Sequence, residues 1–213
     1  MQEGPEPRKD RPLVLASGSP RRRELLEAAG VHAEIMPAPE DAEGDVGEMG
    51  DPGALALAAA ERKTAAVAKM RTDALVLGAD TVVAADDRVL GKPSSPEEAR
   101  AMLRLLAGRK HAVYTAMVAA AWADGDVRVL ARAVAVSEVS FRPLTDEEIE
   151  AYVESGEPMD KAGAYGIQGG AAGFVAALTG PWDNVIGLPV SQAMELVAEA
   201  ERVLARAGEA GWR

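Results

Sequence analysis

Two serines and three arginines lie together in residues 17–23 (SGSPRRR). A short apolar run precedes them, and the proline suits the first position of a helix, so we expect a strand, a tight turn and a helix. Exposed N–H groups, hydroxyls and guanidinium groups at a helix start together favour phosphate binding. A solvated surface is the weaker interpretation, because cations there oppose the helix dipole by roughly 0.3 to 1 kcal/mol. The predicted anion ligands are Ser17, Ser19, Arg21 and Arg22.

A second candidate is Asp80, which interrupts an apolar strand within residues 78–83 (GADTVV). A carboxylate in a buried strand is costly unless it is paired, hydrogen-bonded or bound to metal. The apolar pattern continues on both sides, so a turn capped by this aspartate fits poorly and a functional role fits better. Lys92 follows beyond a turn signal at residues 86–87. A hairpin there would return the lysine towards Asp80.

A third candidate is the segment of residues 159–170, which is dense in glycine and continues to Gly173. Such density permits close approach of the backbone to a ligand. A plain linker would carry mostly serine, whereas Asp160, Lys161, Tyr165 and Gln168 are scattered through this one. Residues 180–189 (GPWDNVIGLP) form a similar turn. A hydrophobic staple at the start of the last helix explains this turn as well as a binding role does.

The elements that must position these residues alternate between strands and helices, which indicates an α/β fold with a mixed sheet. The expected elements are helices beginning near Pro20, Asp51, Ser95, Thr145 and Pro189, a buried strand at 74–78, and a hairpin of 113–123 and 127–141. We expect a single domain at 13–208, with two lobes, between a disordered leader at 1–12 and a tail at 209–213.

Composition excludes several classes of protein. The 213 residues include 23 basic and 34 acidic side chains, giving a net charge of −11, which argues against binding long nucleic acid or anionic membranes. No cysteine is present, which excludes thiolate metal sites and is typical of a reducing compartment, so we expect a cytoplasmic protein. The longest apolar run, at 112–123, is shorter than the ~20 residues that span a bilayer.

Two further classes lose support from missing motifs. There is no Walker phosphate-binding string and no G-x-G-x-x-G, so the ATPase and dinucleotide-oxidoreductase interpretations are disfavoured.

With His32 and His111 as the sole histidines, a multi-histidine metal site is excluded. Any metal must be held by oxygen ligands, which favours magnesium, calcium or manganese.

Taken in order, five motifs resemble the Maf family over about residues 13 to 200. They are residues 17–22 (SGSPRR), 78–83 (GADTVV), 91–93 (GKP), 160–169 (DKAGAYGIQG) and 184–189 (NVIGLP). No single string is specific, but the ordered set is. The resemblance implies a nucleoside triphosphate pyrophosphatase whose sheet forms two lobes around a deep cleft, similar to inosine triphosphate pyrophosphatases.

The resemblance also implies roles for individual residues. Arg21 is expected to contact the substrate, Asp80 to accept a proton, and Thr81 and Gln168 to select the base. Threonine after the aspartate, together with the Tyr-Gly-Ile-Gln string, looks like the branch that acts on dTTP and UTP. A pyrophosphatase for 7-methyl-GTP or another modified nucleotide is the alternative within the family.

Two positions leave the assignment open. The lysine expected in the second helix corresponds to Lys63 or Arg62, and the metal-binding glutamate expected in residues 39–43 corresponds to Glu40 or a neighbouring acid.

These assignments give a working hypothesis for hydrolysis between the α and β phosphates. The residues expected to neutralise the triphosphate are Arg21, Arg22, Lys63 and Lys92, and Lys161 is a further expected substrate-binding residue. Glu40 and Asp80 are expected to hold Mg²⁺ or Mn²⁺, which bridge phosphate oxygens. A nucleotide-binding regulatory module of cell division that does not hydrolyse is the alternative from another class. The family resemblance leaves a homodimer open.

Overall fold

The computed structural model describes residues 11–43 and 50–209. Residues 1–10 of the expected leader and 210–213 of the expected tail lie outside this range. The strands are β1 Leu13–Leu15, β2 Glu34–Ile35, β3 Leu75–Ala85, β4 Arg88–Leu90, β5 Lys110–Ala123, β6 Asp126–Phe141 and β7 Val175–Thr179. The helices are α1 Pro20–Ala28, α2 Glu40–Glu43, α3 Pro52–Met70, α4 Pro96–Leu106, α5 Asp146–Glu154, α6 Trp182–Ile186 and α7 Val190–Glu209. Three 3₁₀ turns lie at Glu157–Asp160, Ala162–Ala164 and Gly170–Phe174.

One mixed sheet organises these elements, in the strand order β2-β1-β3-β5-β6-β7 with β4 also on β3. β1 runs parallel to β2 and β3, and the remaining pairs are antiparallel. The predicted α/β class with a mixed sheet and flanking helices is confirmed. β7 was not predicted, because its five residues are short and lack the alternation that marks a strand. Among the described helices, none combines the length and the apolarity needed to cross a bilayer.

Local capping explains where three of the predicted helices begin. Asp51 accepts from the Ala54 N–H at 2.7 Å at the start of α3, and Thr145 forms a reciprocal capping box with Glu148 at the start of α5. At α4 the Ser95 hydroxyl accepts from the Glu98 N–H at 3.2 Å. These contacts span three residues, so the sequence pattern is enough to predict them.

Strand β3 leaves part of one edge without a strand neighbour. It pairs with β5 along one edge over residues 75–84. On the opposite edge it pairs with β1 at 75–77 and with β4 at 83–85. Within the described ranges, no strand pairs with residues 78–82 on that edge. Asp80 and Thr81 lie in this gap.

Two hydrophobic clusters pack on the same face of β3, one on either side of Thr81. Leu75, Leu77 and Ala79 belong to the first, together with residues of β1 and α7. Val83 and Ala85 belong to the second, together with residues of α4 and α5. Side chains at alternate strand positions share a face, so Thr81 is the polar position between two apolar cores. This division corresponds to the two expected lobes, with the gap between them.

Candidate active site

A cavity of about 340 Å³ occupies the gap beside β3. This volume falls within the range of ~300 to 1,000 Å³ typical of small-molecule sites. The cavity is lined by residues from seven separate stretches of chain, and ten of the predicted site residues are among them. Those ten are Ser17, Ser19, Arg21, Arg22, Lys63, Asp80, Thr81, Lys92, Lys161 and Gln168. The remaining predicted site residue, Glu40, is not in the lining.

The loop after β1 forms one wall. Ser17 is buried and its hydroxyl accepts from the Ser19 N–H at 3.2 Å. Ser19 stands at the start of α1, but its hydroxyl makes no capping hydrogen bond, and Pro20 follows as predicted. The first turn of α1 carries no acidic residue. The start of α1 lines the cavity and has arginines but no acidic residue in its first turn, which suits binding of an anion.

An ion pair lies at the base of the cavity. The Lys63 Nζ donates to an Asp80 carboxylate oxygen at 2.7 Å, and each side chain is about 10% exposed. Burial of either charge alone would be costly, so each stabilises the other in this position. Arg62 is exposed and lines a separate shallow depression beside Asp41. Of the two candidates for the helix cation, the structure brings Lys63 to the cavity.

Arg22 binds protein oxygens from three segments. Its Nε donates to the Gly187 carbonyl at 2.8 Å, one terminal nitrogen donates to the Ala79 carbonyl at 2.8 Å and the Ser17 hydroxyl at 3.2 Å, and the other donates to the Thr81 hydroxyl at 3.1 Å. Arg22 therefore covers part of the unpaired edge of β3 and links it to the neighbouring loops. Substrate binding by Arg22 stays a prediction.

Further positive charge in the cavity comes from Arg21, Lys161 and Lys92. Arg21 forms an ion pair with Asp160 at 2.9 Å, and the Lys161 Nζ donates to the same carboxylate at 2.7 Å. Burial alone would raise the Asp160 pKa, but hydrogen bonds from Lys161 and Arg21 outweigh it and lower that pKa below its usual value. Lys92 lines the cavity, is exposed, and makes no ion pair with another described residue. The pairing of Asp160 with Arg21 was not predicted, because 139 residues separate them.

An apolar side of the cavity also escaped the sequence analysis. The residues on this side are buried or partly buried and belong to the hydrophobic core. They are Val83, Val113, Tyr165, Ile167, Val185 and Ile186. Sequence pattern does not distinguish such residues from ordinary core. Gln168 is exposed and lies beside them in the lining. The cavity thus combines a cationic part with an apolar part that ends in an amide.

Behind Thr81 runs a chain of buried polar groups that the sequence analysis also missed. The Thr81 and Thr115 hydroxyls share a hydrogen bond of 2.9 Å, and Thr115 also donates to the Asn184 carbonyl at 3.0 Å. The Asn184 amide donates in turn to the Val113 carbonyl and the Ser137 hydroxyl at 3.1 and 2.9 Å. This chain fixes the position of Thr81 between the two apolar cores.

Comparison with known proteins decides the family. Residues 12–200 match the family described as "Maf-like protein". The chain belongs to the Maf family. A protein of Bacillus cereus (strain AH820) named "dTTP/UTP pyrophosphatase" is 47% identical over 182 residues, covering 85% of this chain and 92% of that one. A protein of the same name from Bacillus cereus (strain ATCC 10987 / NRS 248) is 47% identical over 180 residues, covering 84% and 85%.

Two solved structures are also similar. A HAM1 protein from Coxiella burnetii has a TM-score of 0.41 and 16% identity, covering 95% of this chain and 100% of that one. The Staphylococcus aureus Ham1 protein has a TM-score of 0.37 and 16% identity, covering 62% and 72%. The Maf membership predicted from five ordered motifs is confirmed by the family match.

The metal expected in a Maf protein must suit the oxygen donors of this cleft. Among the described residues, no three acidic or histidine side chains cluster closely enough to enclose an ion. Asp80 lies in the cavity, whereas Glu40 is exposed at the start of α2. Magnesium is commonly bound by one or two carboxylates together with phosphate oxygens of a substrate. The Asp80 carboxylate fits that mode, and a role for Glu40 stays a prediction.

Proposed function

We propose that this Maf-family chain hydrolyses nucleoside triphosphates to nucleoside monophosphate and pyrophosphate, with dTTP and UTP as the preferred substrates. The observation that carries the proposal is the buried Lys63–Asp80 pair in a cavity that has a cationic part and an apolar part. The relatives named dTTP/UTP pyrophosphatase, at 47% identity, support the substrate assignment.

The cationic part of the cavity suits the triphosphate. A nucleoside triphosphate carries about four negative charges, and phosphoryl transfer depends mainly on positioning and neutralising them. Arg21, Lys92 and Lys161 line the cavity with Ser17 and the start of α1. In the proposal, they bind the phosphates, and Lys92 does so most directly because it makes no ion pair with another described residue. The pyrophosphate leaving group is stabilised by the same cations.

Asp80 is assigned as the proton acceptor. A general base must lie within hydrogen-bond reach of the attacking water, and the cavity lining gives Asp80 access to one. The Lys63 ammonium holds one carboxylate oxygen at 2.7 Å, which fixes the orientation of the other. The water attacks the α phosphorus and gives its proton to Asp80. A module that binds nucleotide without hydrolysis would gain little from a potential general base here, because a carboxylate repels a bound anion.

Magnesium or manganese completes the proposed site. Asp80 would hold the ion together with phosphate oxygens, and Glu40 is the further candidate ligand. When bound, such an ion neutralises phosphate charge and orients the triphosphate.

The apolar part of the cavity suits the base. A pyrimidine would pack against side chains such as Val113, Tyr165 and Ile167, and the Gln168 amide offers one donor and one acceptor to the O4 and N3–H edge of uracil or thymine. We propose the cytoplasm as the location of this activity, because a cysteine-free chain suits a reducing compartment. A homodimer also stays a prediction, which the mass of the protein in solution would test.

A screen of nucleoside triphosphates tests the proposal. The protein is incubated with dTTP, UTP, CTP, GTP and 7-methyl-GTP in Mg²⁺ or Mn²⁺, and pyrophosphate and monophosphate are measured as separate products. Equal amounts of the two from dTTP and UTP, and none in excess EDTA, would support it. Orthophosphate as the product, a preference for 7-methyl-GTP, or binding without turnover would each contradict it.

A further inference from the structure

The turn that carries Gln168 belongs to neither a helix nor a strand. It comprises residues 166–169, between the 3₁₀ turns Ala162–Ala164 and Gly170–Phe174. One internal hydrogen bond, from the Gly169 N–H to the Gly166 carbonyl at 3.1 Å, closes it. A side chain on such a turn orients a ligand reliably when other groups hold the backbone.

Two side chains hold the ends of this turn. The Gly166 N–H donates to the Tyr152 hydroxyl at 3.0 Å, and the Gly170 N–H donates to a Glu157 carboxylate oxygen at 2.9 Å. The Tyr152 hydroxyl donates in turn to the other Glu157 oxygen at 3.1 Å. The three contacts form one connected network, with an anchor two residues before Gln168 and another two residues after it.

The turn closes so tightly on Glu157 that it leaves no room for side chains beside Gln168. A Cβ added at Gly169 would lie 2.1 Å from a Glu157 carboxylate oxygen, and one added at Gly166 would lie 2.8 Å from that oxygen and 2.5 Å from the Lys161 side chain. Gly166 and Gly169, two of the glycines in the segment that the sequence analysis singled out, are thus required for the backbone to approach this carboxylate. Flexibility for its own sake does not explain them.

The network lies outside the cavity. Neither Tyr152 nor Glu157 is among the lining residues, although Gly166, Gln168 and Gly169 are. Tyr152 is buried and packs edge-on against Phe174, with ring centroids 5.3 Å apart. Burial raises the pKa of Tyr152 further above its usual value, so the hydroxyl stays a neutral donor throughout the physiological range.

We propose that Tyr152 and Glu157 are positioning residues for base selection: they fix the turn so that the Gln168 amide meets the base in one orientation. The proposal rests on the proposed function, because it assumes that Gln168 reads a pyrimidine. It goes beyond the proposed function because it concerns residues outside the cavity. The two side chains act through the backbone of the turn without touching the nucleotide.

Two conservative variants test it. Tyr152→Phe keeps the packed ring and removes both hydrogen bonds, whereas Glu157→Gln keeps the shape and replaces an acceptor with an amide N–H. Matched controls are Tyr114→Phe, whose hydroxyl bonds to no described residue, and Glu154→Gln, an exposed position on α5. Each variant is made in the natural chain and again in a Gln168→Ala background.

The first measurement is kcat and KM for UTP and CTP. We expect the UTP-to-CTP ratio of kcat/KM to fall about tenfold in Tyr152→Phe and Glu157→Gln, mainly through a higher KM for UTP, because each variant disrupts one of the two hydrogen bonds that hold the turn and the bond that joins the two side chains. In the Gln168→Ala background we expect the same changes to alter the ratio less than about twofold. The controls should leave it unchanged. A merely structural role would lower turnover of both substrates alike.

The second measurement is amide hydrogen exchange in residues 165–171, which needs no turnover. Faster exchange in Tyr152→Phe and Glu157→Gln, but not in the controls, is expected. An unchanged UTP-to-CTP ratio, or a change that persists without Gln168, would overturn the positioning proposal. The proposed function would still be supported in that case, provided that the natural chain releases pyrophosphate from UTP. A natural chain that hydrolyses no triphosphate would overturn the proposed function, and the exchange rates would still show whether the two residues hold the turn.

Discussion

At the scale of single residues, the site is a set of charges whose partners are now specified. Lys63 neutralises Asp80 across 2.7 Å, and Asp160 is shared by Arg21 and Lys161. Substitution of a charged residue that forms an ion pair within the protein should have a different effect on activity from substitution of one that forms none. The residues with the sharpest expected effects are Asp80, the proposed general base, and Gln168, the proposed contact to the nucleobase.

Asp80→Asn should lower turnover by about 10² to 10⁴-fold, because an amide does not accept the proton of the attacking water. Asparagine has nearly the same shape, and circular dichroism should show the native fold. Asp87→Asn, at the exposed turn between β3 and β4, is the matched control and should keep full activity. Near-normal pyrophosphate release from Asp80→Asn would remove Asp80 from the mechanism.

Gln168→Glu should shift the preference away from UTP and dTTP, because a carboxylate has no N–H to donate to O4 of the base. Rates with UTP and GTP, measured side by side, would give the ratio. Since the side chain is exposed, the free energy of unfolding should stay within about 0.5 kcal/mol. If the ratio did not change, Gln168 would have no part in base selection.

At the scale of elements, the cleft depends on how closely α3 packs on β3. Gly78 faces the helix, and a Cβ added there would lie 1.9 Å from the Thr64 hydroxyl oxygen. The absence of a side chain at this position lets α3 approach. That approach brings Lys63, the residue before Thr64, to Asp80, two residues beyond Gly78.

Gly78→Ala should therefore destabilise the fold by about 1 to 3 kcal/mol through overpacking and should reduce activity by displacing Lys63. Thr64→Ala removes the obstructing oxygen. In the double variant, part of the lost stability should return, and urea unfolding of the four proteins of the cycle measures this coupling. Strictly additive losses would show that the contact between these two positions does not limit the packing.

At the scale of the whole molecule, two hydrophobic cores lie on one face of β3, on either side of Thr81, and an ionisable group packs within the second of them. His111 is buried against Phe141 and Tyr165, with ring centroids 4.9 and 5.3 Å away. Its Nε2 shares a hydrogen bond of 2.9 Å with the Tyr165 hydroxyl, whereas its Nδ1 is buried without a partner among the described residues. Burial lowers the His111 pKa from 6.5 to about 4.

The unfolded chain therefore takes up a proton at His111 at a higher pH than the folded one does. Stability should be complete above about pH 6.5 and should fall by roughly 3 kcal/mol as the pH drops to about 4. Below pH 4.5 a separate loss begins as Glu148 is protonated, because hydrogen bonds from Arg142 and Thr145 hold its pKa at about 2. Urea unfolding between pH 7 and 5 isolates the histidine.

His111→Phe is the control for that measurement. It keeps an aromatic ring among Phe141 and Tyr165 and should flatten the dependence of stability on pH between 7 and 5. His32→Phe, at an exposed position, should leave the dependence unchanged. An equal slope in the natural chain and in His111→Phe would show that another group takes up the proton.

The sequence by itself determined the family, the α/β class, the starts of the main helices and ten residues of the cavity lining. Helix starts follow from contacts three residues apart, such as the reciprocal box of Thr145 and Glu148, so a short pattern suffices to predict them. The family motifs are likewise continuous strings, and their order along the chain is visible without a fold.

The tertiary structure alone decided how those strings meet. Adjacent helix positions differ by about 100° in direction, so the choice of Lys63 over Arg62 required knowing which face of α3 lies on β3. The gap in the β3 edge arises because two different strands pair with its two ends. Arg21 and Asp160 meet across 139 residues, and the apolar side of the cavity comes from ordinary core side chains. Such contacts depend on packing between distant segments, which no local pattern encodes.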